Sequence, residues 1–169
     1  MKMVKRILCS LFLIYSSMAV SQTMTDEPSL AALKEKITIT QGIAGQVMFW
    51  RGDFMPMMGD EAASAGRMTL VSREMYIYPG LKQDEVQAKA DVGMPFYSKI
   101  KQKPIKTIQS DENGFFQAAL PPGIYSILVR EGKDFYANGI GANGMIYPIE
   151  VKANEVTIFQ FDITYQATY

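Results

Sequence analysis

The chain has 169 residues with 17 basic and 17 acidic side chains, one cysteine and no histidine. It therefore lacks the commonest general acid or base and the commonest metal ligand. No basic run marks a nucleic-acid footprint, so a nucleic-acid partner is not expected.

Residues 1–21 read as a secretory signal peptide. Lys2, Lys5 and Arg6 precede an apolar run from Ile7 to Tyr15, and Ala19-Val20-Ser21 offers a small-x-small cleavage site before Gln22. The run is shorter than the roughly 20 residues that a membrane span needs. Leu8, in front of Cys9, does not suit acylation of that cysteine. The expectation is a chain exported to the periplasm or the cell surface, without a membrane span after cleavage. Removing residues 1–21 also removes Cys9 and leaves 14 basic against 17 acidic residues. The remainder has no disulfide and no thiol, so its stability must come from packing.

Residues 22–41 form a polar leader in which Leu30 and Leu33 could share one side of a short helix. Ile37 to Thr40 alternates and could pair as an edge strand. The domain proper is read as residues 42–169. Gly42 to Arg51 is its first strand, with Ile43, Gly45, Val47 and Phe49 inward and Ala44, Gln46, Met48 and Trp50 outward or under a covering loop. Gly52 to Gly66 is irregular and reads as a long surface loop. Arg73 to Tyr78 is a second strand, with Met75 and Ile77 inward and Glu74, Tyr76 and Tyr78 on the other face. Leu81 to Lys103 carries Gly93 and Pro95 and reads as a second long loop, with a helical turn in Gln83 to Ala90.

Ile105 to Ser110 leads into the most informative stretch. Asn113-Gly114 is a tight-turn dipeptide, because both residues tolerate positive φ. Phe116, Ala118 and Leu120 then recur at period two. Pro121-Pro122-Gly123 stops that strand, and Tyr125, Ile127 and Val129 alternate with Ser126, Leu128 and Arg130 in the next. The second of these faces is mixed, which suits a sheet with one buried face. Phe135 to Asn138 and Met145 to Val151 are further strands. The last strand alternates most cleanly, with Thr157, Phe159, Phe161, Ile163, Tyr165 and Ala167 on its core side. About seven short strands and no long helix predict an all-β sandwich.

Asp111-x-x-Gly114-x-Phe116, followed by Leu120-Pro121-Pro122-Gly123-x-Tyr125-x-Ile127-x-Val129, resembles the carboxypeptidase regulatory-like domain. Gly42-Ile43-Ala44-Gly45-Gln46-Val47 is similar to its opening strand, and Val156 to Tyr169 to its closing one. The resemblance implies a prealbumin-like (transthyretin-like, Ig-like) antiparallel β-sandwich with no established chemistry. Hydroxyisourate hydrolases and intradiol dioxygenases on related folds depend on histidine, so neither activity carries over to this chain.

The outward aromatics Trp50, Tyr76 and Tyr78 are the candidate binding platform for a sugar ring or a partner protein. Equally, the long loops could fold over them as a second small core. Met55, Met57 and Met58 form a thioether cluster of the kind that selects Cu(I), which is the alternative site. Asp111-Glu112-Asn113 lacks calcium-loop spacing, and Arg51-Gly52-Asp53 reads as a turn. No side-chain set with catalytic spacing is present, and no cofactor is expected. The reading is a non-enzymatic module for an envelope protein or polysaccharide partner, or with a structural role at the cell envelope.

Overall fold

The computed structural model describes residues 30–55, 66–89 and 95–169. Residues 1–21, expected to be a signal peptide, residues 22–29 of the leader, Met57 and Met58 lie outside the described residues. A short helix, α1 (Leu30–Lys36), precedes β1 (Gly42–Asp53), β2 (Arg67–Leu70), β3 (Glu74–Pro79), β4 (Val86–Ala88) and β5 (Phe96–Ile100). Then follow β6 (Lys106–Gln109), β7 (Phe115–Ala119), β8 (Gly123–Glu131), β9 (Asp134–Tyr136), β10 (Pro148–Val151) and β11 (Val156–Thr168).

β1 organises the smaller sheet. One of its edges pairs with β11, and the other pairs first with β7 and then with β2. The larger sheet runs β4-β5-β9-β8-β3-β6, with β10 beside β9 along the same edge of β8. All pairings are antiparallel except β1 with β11, which is parallel.

Period-two alternation sends Ile43, Val47 and Phe49 of β1 and Phe161 and Ile163 of β11 toward Met75 and Ile77 of β3 and Tyr125, Ile127 and Val129 of β8. These side chains form one core between the sheets, as the sequence parity predicts. Gly45 sits where β11 and β7 close on β1. A Cβ there would overlap the Phe159 carbonyl and come within 2.8 Å of the Phe116 ring. The β6–β7 turn is built by Asp111, whose Oδ1 accepts from the backbone N–H groups of Asn113 and Phe115, each at 2.8 Å, while Gly114 takes φ +71°. This acidic stretch is thus committed to a hairpin.

Four expectations change. Ile37 to Thr40 joins no ladder: the Thr38 N–H donates to the Gln117 side chain instead. Leu81 to Lys103 is no open loop, since after a 3-10 turn at Gln83–Glu85 it supplies the antiparallel pair β4–β5. Arg51-Gly52-Asp53 completes β1 rather than turning. Finally, the mixed face of β8 is buried too. Leu128 packs there with Tyr78, Leu81, Tyr97, Ala137 and Ile146 in a second core on the outer face of the larger sheet. Ser126 is tolerated at full burial because its Oγ accepts from the Leu81 N–H at 2.8 Å.

Candidate functional site

The structure separates the three aromatics of the expected platform. Trp50 stands on the smaller sheet, Tyr76 and Tyr78 on the larger. Tyr78 is only 2% exposed, and burial pushes its phenol up to about 12. Tyr76 is half-buried edge-on against Phe135, at 4.9 Å between ring centroids, and donates to Glu74 Oε2 at 2.8 Å. That hydrogen bond is the main cause of its raised pKa, with partial burial adding to it. These two tyrosines serve the second core and its border, not a plane shared with Trp50.

Trp50 gathers a different set. Its ring lies 5.0 Å from Phe54 and 6.4 Å from Tyr169, and Phe54 and Tyr169 stack at 5.9 Å with 24° between their planes. Phe54 follows directly on β1, with its N–H donating to the Thr168 carbonyl at 2.8 Å, and so shares a face with Trp50 four residues earlier. Tyr169 joins them through a β-bulge. Phe49 is registered with Ile163 but Arg51 with Gln166, so β11 carries one extra residue at this point. The extra residue reverses the parity of β11 and turns Tyr169 from the core side to the outer face. Tyr136 and Asn138 hold the bulge: the Thr164 N–H donates to the Tyr136 hydroxyl at 3.0 Å, and Asn138 Nδ2 donates to Thr164 Oγ1 at 2.6 Å.

The polar part of this face is Asp162. Its Oδ1 accepts from Trp50 Nε1 at 2.8 Å and from Gln160 Nε2 at 2.7 Å, which fixes the indole and the amide relative to each other. Tyr169 is 67% exposed and Met55 48%, so the surface is wet at its rim and anchored beneath. Met68 stands directly opposite Trp50 in the ladder. Of the methionines proposed for Cu(I), Met55 alone is described. Among the described residues no group of three or more His, Cys, Asp or Glu side chains could hold a metal.

At the same end, between the sheets, Arg73 pairs with Glu131 through Nε and Oε1, and the Tyr165 hydroxyl donates to Glu131 Oε2 at 2.9 Å. Burial first, and the Glu131 carboxylate second, push the Tyr165 phenol up to about 12. Both Glu131 oxygens are therefore engaged. At the opposite end a shallow groove of about 560 Å³ runs between Thr38–Gln41 and Ala119–Pro122. Gln41 bridges it, donating to the Leu120 carbonyl at 2.9 Å and accepting from the Asn154 N–H at 2.9 Å.

Of the three predicted platform residues, Trp50 alone belongs to the aromatic cluster. Phe54 follows the first strand at i, i+4 spacing from Trp50, but the sequence pattern ends that strand at Arg51 and assigns Phe54 to the loop. Tyr169 was out of reach of sequence reasoning, because uninterrupted alternation assigns it to the core side. Compared with protein-family models, with curated proteins and with solved structures, the chain matches none. Among the described residues no helix is long and apolar enough to cross a membrane.

Proposed function

We propose that the chain is a non-catalytic module exported to the cell envelope, prealbumin-like and of the carboxypeptidase regulatory-like type, that holds a protein or polysaccharide partner. The observation that carries this reading is the gathering of Trp50, Phe54 and Tyr169 on one outer face beside Asp162, with Tyr169 67% exposed. Rigid aromatic side chains offer large contact area at little conformational cost, and a neighbouring carboxylate fixes the orientation of what docks there. The absence of histidine and the structural commitment of Glu131 and Asp111 favour binding over catalysis.

Trp50 is the only tryptophan, so its emission reports on this surface directly. The exported chain is titrated with soluble envelope polysaccharide and, separately, with solubilised envelope protein. The expected result is a saturable change in emission with one of the two. It disappears in a Phe54→Ala/Tyr169→Ala variant whose circular dichroism matches the parent. An unchanged response in that folded variant would overturn the assignment of the surface.

A further inference from the structure

Arg51 and Arg67 stand directly opposite each other in the β1–β2 ladder, and both are exposed. Directly opposed side chains in an antiparallel pair have Cβ atoms roughly 5 Å apart, so two guanidinium groups placed there destabilise the pairing. Among the described residues neither arginine forms an ion pair, whereas Arg73 nearby is paired with Glu131. Arg51 is nevertheless held in position. Its Nε donates to Gln166 Oε1 at 3.0 Å, and its guanidinium lies 5.5 Å from the centroid of the Phe49 ring, which Arg73 also approaches, at 5.8 Å.

These contacts leave the terminal amino groups of Arg51 directed to no described acceptor. The nearby carboxylates are Glu131, with both oxygens engaged, and Asp53, whose Oδ1 caps the Met55 N–H at 2.8 Å. Among the described residues, Arg51, Arg67 and Arg73 outnumber the carboxylates of Asp53 and Glu131 by one here, in a chain whose acidic residues outnumber its basic ones after residue 21.

We infer that Arg51 and Arg67 form a clamp for an oxyanion, and that its ligand is an acidic polysaccharide carrying carboxylate or sulfate groups. Each guanidinium presents a planar fork that engages two oxygens of a carboxylate or sulfate at once. Two arginines are too few for the many phosphate contacts of a nucleic acid or for the polybasic cluster that holds an anionic bilayer. The choice of a polysaccharide rests on the proposed function, because Trp50 and Arg51 project to opposite faces of the same end of β1, where one chain-like ligand could reach both around the strand end. The clamp itself rests on the ladder register alone.

The exported chain is titrated by calorimetry with sodium polygalacturonate, dextran sulfate and uncharged dextran, at low and at high sodium chloride. Arg51→Gln, Arg67→Gln, the double variant and Phe54→Ala/Tyr169→Ala are compared with the parent. Binding of at least one acidic polymer is expected, weakened about tenfold by each arginine substitution and weakened by salt in the parent far more than in the double variant. The preferred acidic polymer distinguishes carboxylate from sulfate. Acidic polymers bound equally by parent and folded double variant, bound by neither, or bound no better than dextran would each overturn the clamp. A folded Phe54→Ala/Tyr169→Ala variant that binds like the parent would overturn the aromatic surface while leaving the arginine comparison intact.

Discussion

Leu128→Ala is the sharpest probe of the second core. Sequence parity places Leu128 on the mixed face of β8, where a solvated leucine would lose little on truncation. The structure places it at 0% exposure among Tyr78, Leu81, Tyr97, Ala137 and Ile146. Removing a fully buried leucine side chain costs the lost transfer free energy plus the cavity left behind, about 2–5 kcal/mol. Ile124 on the same strand is 47% exposed and serves as the control, with an expected cost below about 1 kcal/mol.

Urea unfolding followed by circular dichroism and by Trp50 emission measures both. With a slope near 2 kcal/mol per molar urea, Leu128→Ala should lower the midpoint by about 1–2.5 M. Trp50 lies on the other sheet, so coincidence of the two signals also shows whether both sheets unfold together. A Leu128→Ala cost as small as that of Ile124→Ala would refute burial of this face.

Stability should fall at alkaline pH. Tyr78 and Tyr165 have folded pKa values of about 12 against an ordinary 10.0, so the unfolded chain releases these protons first. Stability is fully present below pH 10 and is lost between pH 10 and 12, by up to about 3 kcal/mol for the buried Tyr78 and by less for the partly exposed, solvent-screened Tyr165. A pH series of denaturation midpoints tests this, and a flat profile across that window would contradict it. Gly45→Ala should cost at least about 2–3 kcal/mol by forcing β11 and Phe116 away from β1, read as a lowered melting temperature or loss of soluble protein. Ser126→Ala leaves the Leu81 N–H without its buried acceptor and should cost about 1–3 kcal/mol, measured by the same urea titration. Arg67→Gln should stabilise the ligand-free chain by about 0.2–1 kcal/mol by relieving its repulsion with Arg51, which differential scanning calorimetry resolves as a higher midpoint.

How far the sequence reaches depends on how local the physics is. The strands Gly42–Asp53, Glu74–Pro79, Phe115–Ala119, Gly123–Glu131 and Val156–Thr168 were legible because alternation and the turn residues Asn113-Gly114 and Pro121-Pro122-Gly123 act within a few positions. The inward sets on β1, β3 and β8 were legible for the same reason. β2, β4 and β5 were not. They are short, carry few alternating apolar residues, and exist because strands from elsewhere in the chain offer them an edge.

The candidate surface divides in the same way. Trp50 was visible as an outward aromatic on a confident strand. Tyr78 has the same parity signature, but Leu81, Tyr97 and Ile146 bury it; that the loop from Leu81 to Lys103 could cover it was legible as one of two alternatives, and the choice between them was not. Tyr169 depends on a one-residue bulge in β11, and Arg51 meets Arg67 only through a ladder register. By itself, then, the sequence determined the fold class, the facing of the core strands and the lack of histidine chemistry. Which aromatics meet, which face is covered and where positive charge collects were decided by the tertiary structure, because strand register and sheet covering depend on residues far apart in the chain.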